Sequence, residues 1–264
     1  MNFKPIPNKF EYLNWQEIEC VAKNKRSTVI WPFGAVEQHG PHLPLATDSI
    51  FVDDIISEVF KLLPADIPLK KLPTQYIGFS PEHKGFAGTI SLSSNLITSM
   101  IKEVGGQLSE MGFKRLILIN GHGGQISLLN TAARELRSFA PEMAVFPCFL
   151  WSGVNGLSEL LTKTEIEDGL HASLAETSLM LALKPELVGD ERPNEGNKVD
   201  IPEGWSLEGN APTAWLTDDF SKSGVIGDSR GANESLGKNL KELLINHWFK
   251  LIMNLMQSDW PNNS

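Results

Sequence analysis

The chain has 264 residues, enough for one large domain whose core needs no disulfide or metal staple merely to fold. Hydrophobic residues make up 41% and charged residues 21%, ordinary globular usage that excludes a disordered chain, a collagen-like repeat and a coiled coil. Lys and Arg total 23 against 32 Asp and Glu, so the net charge of −9 lacks the basic footprint of a nucleic-acid binder or a membrane-surface protein.

In chain order, Asn14 followed by Glu17 reads as a capped helix start, with the helix running to near Lys25. Ser27 to Phe33 is short, apolar and β-branched, the mark of a buried strand. A glycine- and proline-rich stretch from Gly34 to Asp48 leads into a helix over Ser49 to Leu63. Residues 73–88 read as loop and Thr89 to Ser93 as a strand. Asn95 to Met111 is the next helix, its Gly105-Gly106 pair tolerable if a neighbour packs close. Phe113 to Asn120 is the strongest strand signal and runs into Gly121-His122-Gly123-Gly124. Ile126 to Phe139 follows as a helix, Ala144 to Leu150 as a strand, and His171 to Leu183 as a helix stopped by Pro185. Residues 185–230 read as an irregular excursion, and Glu234 to Met256 as an amphipathic C-terminal helix in which His247 is structural.

Alternating strands and helices without a linker predict one α/β domain over residues 1–264, with a largely parallel sheet flanked by helices on both faces. In such sheets sites form at the carboxyl edge, where the two richest polar motifs fall. No apolar run reaches the roughly 18–20 residues that span a bilayer. The N-terminal stretch has no signal-peptide core, and Cys20 and Cys148 belong to no pair motif and read as reduced, mostly buried thiols. A cytoplasmic protein is expected.

Glu37 and His39 are two apart, so in extended backbone they point to one side, and the Gly/Pro path to Asp48 can bring that carboxylate back. A mixed N/O set suits zinc, manganese or ferrous iron. The alternative is a hydrogen-bonded turn. Asn120-Gly-His122-Gly-Gly reads as a metal-ligand position, an anion cradle or a structural turn; it lacks the lysine and spacing of a P-loop. Glu176 shares a helical face with Ala172, Leu179, Met180 and Leu183, where a carboxylate is costly unless it is paired or binds a metal. A metal ligand and a hydrogen-bonded acceptor are equal readings there. Trp151 and Trp215 read as core packing, with a lid as the alternative.

The blocks PFGAVEQHGPHLPLATD (Pro32 to Asp48), EHKGFAGTISL (Glu82 to Leu92), NGHGGQ (Asn120 to Gln125) and HASLAETSLML (His171 to Leu181) together resemble the creatininase (creatinine amidohydrolase) family. The resemblance implies an α/β fold with a parallel sheet and two divalent metal ions per subunit, zinc or manganese and sometimes iron. It also implies assembly commonly as a homo-hexamer and hydrolysis of a non-peptide C–N bond in a small cyclic amide or formamide. Carried over by motif, Glu37 and His122 hold one metal, His39 and Glu176 the other, and Asp48 bridges them. His171 is a proton-handling or substrate-side residue, and His42 and His83 are pocket groups or supports for the ligands. Creatininases carry an aromatic residue and a ligating glutamate where this chain has Gly123 and Gly124, which implies a substrate other than creatinine. The GHGG form is shared with relatives in formamide hydrolysis and peptide maturation.

A binuclear site supplies an activated water near neutral pH, and a general acid must protonate the leaving nitrogen. His171 is the first candidate and Glu176, as a metal-bound carboxylate, the second. No G-x-S-x-G elbow supports a Ser-His-Asp alternative. The rival reading is a non-catalytic metal-binding or peptide-maturation protein that keeps the fold.

Overall fold

Four parallel strands hydrogen-bond in the order β2-β1-β3-β4, where β1 is Thr28–Phe33, β2 Leu69–Lys71, β3 Arg115–Asn120 and β4 Ala144–Phe149. The computed structural model describes residues 8–196, 200–209 and 211–261; residues 1–7, on which part of the N-terminal reading falls, lie outside the described residues. β1 and β3 are buried along their whole length, as their continuous apolar runs require of strands covered on both faces. Their side chains alternate between two cores. Ile30, Ile117 and Ile119 pack toward α2 (Thr47–Leu62), α7 (Leu174–Leu183) and α8 (Glu234–Gln257). Val29, Trp31, Phe33, Leu116 and Leu118 pack toward α1 (Trp15–Ala22), α3 (Ser94–Glu110) and α4 (Ile126–Phe139). The expected α/β fold with helices on both faces is therefore present.

Local signals explain most of the elements. Asn14 accepts from the amides of Gln16 and Glu17 while Glu17 accepts from the Asn14 amide, closing the capping box that starts α1. That helix stops at Ala22, short of the Lys25 expected. In α3 a Cβ on Gly105 would lie 2.3 Å from Leu136 of α4, so the glycine pair marks a close crossing. α7 and α8 cross closer still: a Cβ on Gly237 would lie 1.8 Å from the Ser178 carbonyl oxygen. Gly237→Ala must push backbone apart and is expected to cost about 3 kcal/mol, an overpacking penalty. Guanidinium unfolding would report it; an unchanged midpoint would contradict the packing described.

Three expectations need correction. Thr89 to Ser93 forms no strand; among the described residues Ile90 makes a single bridge, to Val36, and is half exposed. The helix read from His171 begins at Leu174, because Ala172 adopts a left-handed backbone with φ 52° that a helix cannot contain. Cys20 is exposed; Cys148 is partly buried, and neither is in a disulfide. β2, a polar three-residue strand, carries no strand signal in the sequence. The segment between β4 and α7 adds two short helices, α5 (Leu157–Leu160) and α6 (Lys163–Asp168), and the excursion contributes a two-stranded ribbon, β5 (Asn194–Glu195) with β6 (Gly227–Asp228). Among the described residues no helix is long and apolar enough to cross a membrane.

The register aligns Phe33, Asn120 and Phe149 at the carboxyl edge of the sheet. The Gly/Pro stretch and the GHGG motif leave from that edge side by side.

Candidate metal centre

The loop after β1 folds back on itself: the Glu37 amide donates to the Leu45 carbonyl, and Asp48 then enters at the second position of α2. Glu37, His39 and Asp48 are thereby all buried within one short loop. Beyond β3, Asn120 clamps its own turn. Its Nδ2 donates to the His122 carbonyl and its Oδ1 accepts from the His122 amide. Gln125 ties this turn to the first loop by donating to Asn120 Oδ1 and to the Gly34 carbonyl. His171 is held by paired backbone hydrogen bonds with Ile226, and Glu176 stands in the first turn of α7, accepting from the Ala172 amide at 2.7 Å.

Glu37, His39, Asp48, His122, His171 and Glu176 meet, and His83 with them. Glu37 Oε1 lies 3.2 Å from His122 Nδ1, 3.3 Å from His83 Nε2 and 3.9 Å from His171 Nδ1. Asp48 sits between the two sides, Oδ1 at 3.4 Å from His39 Nε2 and Oδ2 at 3.4 Å from His122 Nδ1. His39, His171 and Glu176 offer ligand atoms within 4.8 Å of one another, and so do Glu37, His39 and Asp48.

Three imidazoles are oriented alike. His39 Nδ1 faces the Glu37 carbonyl at 3.2 Å, His122 Nε2 the Phe79 carbonyl at 3.1 Å, and His171 Nε2 the Gln38 carbonyl at 2.7 Å. A carbonyl only accepts, so each of those nitrogens carries a proton and donates it. The other nitrogen of each ring then points at the carboxylates, the arrangement that backbone carbonyls impose on metal-binding histidines. Both Glu37 oxygens, His39 Nε2 and Asp48 Oδ2 are buried without a hydrogen-bond partner. Orphaned acceptors of this kind cost free energy unless a cation satisfies them. The donor set of carboxylates and imidazoles without thiolate fits a divalent metal.

At His171 only one ring nitrogen is free to handle a proton. Its Nε2 proton is engaged by Gln38 and its bare Nδ1 faces Glu37, so it can first accept. Burial, with His83 and His39 nearby, keeps this ring well below the usual imidazole range and therefore neutral. His42 is tied through Nε2 to Thr177 Oγ1 at 2.9 Å, outside the cluster, and burial lowers it to about 4.

The metal-free electrostatics are those of unsatisfied carboxylates. Burial opposes charge on His39, but Asp48 overcomes it and raises the ring to about 9. Burial is likewise outweighed at His122, where Glu37 and Asp48 hold the imidazolium well above its ordinary range. Burial would raise Glu37, yet His122 and His83 keep it well below. Glu176 is pushed up by burial to about 7. His39 thus contributes to metal-free stability fully below its ordinary 6.5, and the contribution is lost as pH rises through about 9. A cation must displace these protons. Zinc binding to the metal-free chain at neutral pH is expected to release protons, with affinity rising toward about pH 9. Calorimetry in buffers of different ionisation enthalpy measures both, and a pH-independent affinity would contradict the arrangement.

The cluster opens into a cavity of about 440 Å³. Glu37, Asp48, Glu82, Glu165, Glu176 and Glu208 line it, with no Lys or Arg among the described lining residues, so its side chains favour a cation over an anion beside GHGG. Trp151 and Trp215 line it as well; Trp151 also packs edge-on against Phe51. The sequence pattern assigns no role to Glu82. A Cβ on Gly124 would lie 1.7 Å from Glu82 Oε1, so the glycine leaves the room this carboxylate fills, 3.2 Å from His122 Nε2. Gln38 and Thr217 likewise carry no signal in the sequence; both contact His83.

The family profile described as "Creatininase: Creatinine amidohydrolase" matches residues 11–252, and the chain belongs to the creatininase family. The mycofactocin precursor peptide peptidase of Mycobacterium tuberculosis (strain ATCC 25618 / H37Rv) is 31% identical over 219 residues, 81% of this chain and 79% of that protein. Creatinine amidohydrolase from Pseudomonas putida is 28% identical over 194 residues, 68% of this chain and 73% of that one. A solved structure titled "Creatininase Mn" shares the fold with a TM-score of 0.76 at 24% identity, over 96% of this chain and 100% of that one.

Proposed function

We propose that this chain hydrolyses a carbon–nitrogen amide bond in a small, non-peptide substrate of the cyclic amide or formamide type, at a centre that takes two divalent cations. The observation that carries this reading is the set of buried, unpartnered oxygens and nitrogen on Glu37, His39 and Asp48, facing one another at the cavity floor. Glu37 and His122 would hold one cation, His39 and Glu176 the other, with Asp48 between them. Zinc and manganese suit these donors best, and iron follows. When bound, the cations polarise the substrate carbonyl and activate a water.

The chain's own groups do the rest. His171 is neutral, so its bare Nδ1 accepts the proton released as water attacks and returns it to the leaving nitrogen. Ile126, Phe149 and Trp151 line the cavity with apolar surface that holds the substrate's carbon skeleton and thins the water around the reacting bond. The peptidase names of the mycobacterial relatives favour a second reading, in which the amide belongs to a peptide end. The same residues would serve it.

A panel of formamides, lactams and short peptides, offered to zinc- and manganese-loaded protein, separates these readings. Turnover of a formamide or lactam that chelation abolishes is the expected outcome. Turnover of peptides alone would favour the second reading, and no turnover by metal-replete protein would favour a non-catalytic role. Creatinine is expected to be hydrolysed weakly or not at all, because Gly124 offers no carboxylate side chain; efficient conversion to creatine would overturn that.

A further inference from the structure

His83 stands apart from His39, His122 and His171, each of which gives one ring nitrogen to a backbone carbonyl and turns the other toward the carboxylates. Its Nδ1 lies 2.9 Å from Gln38 Nε2. The orientation of that amide is set by backbone. Gln38 Oε1 accepts from the Gly40 amide at 2.9 Å and Gln38 Nε2 donates to the Gly224 carbonyl at 2.9 Å. The group facing His83 Nδ1 is therefore an NH₂, which only donates, so Nδ1 is the acceptor and the ring proton is on Nε2. Thr217 Oγ1, 2.6 Å from the same Nδ1, can donate as well. Gly224 leaves room for this clamp: a Cβ there would collide with Gln38 Oε1. Both Thr217 and Gly224 come from the 185–230 excursion, which thereby reaches the site.

The protonated Nε2 points inward, 3.3 Å from Glu37 Oε1, and His83 lines the cavity while stacked on His171 at 4.1 Å. His83 could be grouped with Glu37 and His171 as a metal ligand. A metal on Nε2 would transfer the ring proton to Nδ1, against the Gln38 NH₂, so the clamp opposes it. The geometry points to His83 as a hydrogen-bond donor, through Nε2–H, to the carbonyl oxygen of the substrate, with Gln38 as the positioning residue that fixes its tautomer. This rests on the amide-hydrolase reading above. It adds a donor for the oxyanion, a role of the kind that preorganised hydrogen-bond donors perform in acyl transfer.

The test uses the full chain with ¹⁵N-labelled histidine, metal-free and zinc-loaded. Long-range ¹H–¹⁵N correlation spectra report the tautomer, and His83→Leu assigns the signal. The Nε2–H form is expected in both states; an Nδ1–H form, or loss of the Nε2 proton on zinc loading, overturns the proposal. His83→Leu is expected to keep the wild-type zinc stoichiometry by mass spectrometry and to bind the probe acetohydroxamic acid about tenfold more weakly. Loss of a zinc equivalent, or unchanged hydroxamate affinity, also overturns it. If His83→Leu does not fold, Gln38→Leu serves, with a tautomer shift and weaker hydroxamate binding expected at full zinc content. Failure of the wild type to bind zinc would sink the metal-centre reading instead, while the metal-free spectrum still decides the tautomer.

Discussion

His122→Ala is expected to lose at least one equivalent of bound metal and to abolish hydrolysis. The imidazole sits at the end of β3 with Nε2 donating to the Phe79 carbonyl, and Nδ1 is the only part of the ring aimed at both Glu37 and Asp48. The loss should exceed the roughly 10²–10³-fold cost of deleting one oxyanion donor. In the metal-free protein the same change leaves the buried Glu37 with His83 and Asp48 with His39, each short of one partner, and is expected to destabilise the fold. Thermal unfolding of the metal-free variant should show that loss of stability. Metal analysis decides the role: a folded variant with its full metal content would remove His122 from the ligand set.

Glu176→Gln is expected to keep α7 and lose high-affinity binding of one metal, with activity falling steeply. The amide oxygen of a glutamine can still accept from the Ala172 amide, as Glu176 Oε2 does, so the start of the helix is preserved. The charge is what changes. Burial raises Glu176 from 4.5 to about 7, and a raised carboxyl destabilises the metal-free fold progressively as pH climbs through that window. Glutamine removes the penalty, so the metal-free variant should be more stable than the wild type above about pH 7. A mere hydrogen-bond acceptor would give the stability gain with no loss of metal. Calorimetric titration into the metal-free variant separates the cases, and two intact high-affinity sites would show Glu176 to be structural.

Both results turn on residues that are legible in the amino-acid sequence. Glu37, His39, Asp48, His122 and Glu176 are chemically conspicuous: charged or imidazole groups among glycines, prolines or apolar residues, at the ends of strands or the start of a helix. The long apolar runs of β1 and β3 and the 3.6-residue periods of α3, α4 and α8 are equally readable, because burial on a sheet or a stripe writes itself into hydropathy. β2 is not, since Leu69, Lys70 and Lys71 are a polar run whose lysines are buried by contacts from distant chain. Thr89 to Ser93 misleads in the opposite way: its alternation has the strand period, but pairing needs a neighbour, and among the described residues only Val36 bridges to Ile90. The break at Ala172 is hidden because its left-handed backbone is imposed by His171 pairing with Ile226. Glu82, Gln38 and Thr217 are silent for one reason. Each acts on a histidine remote in sequence, Glu82 and Gln38 through space that Gly124 and Gly224 leave open.

Two cations are proposed to sit at the carboxyl edge of β1 and β3, held by these residues. Anomalous scattering from crystals of the metal-loaded chain, collected across the zinc, manganese, iron and nickel edges, tests this most directly. Two peaks are predicted, one touching Glu37 and His122, the other His39 and Glu176, with Asp48 touching both and His83 Nε2 touching neither. A single peak, a peak held by His83, or peaks away from this cluster would contradict the account.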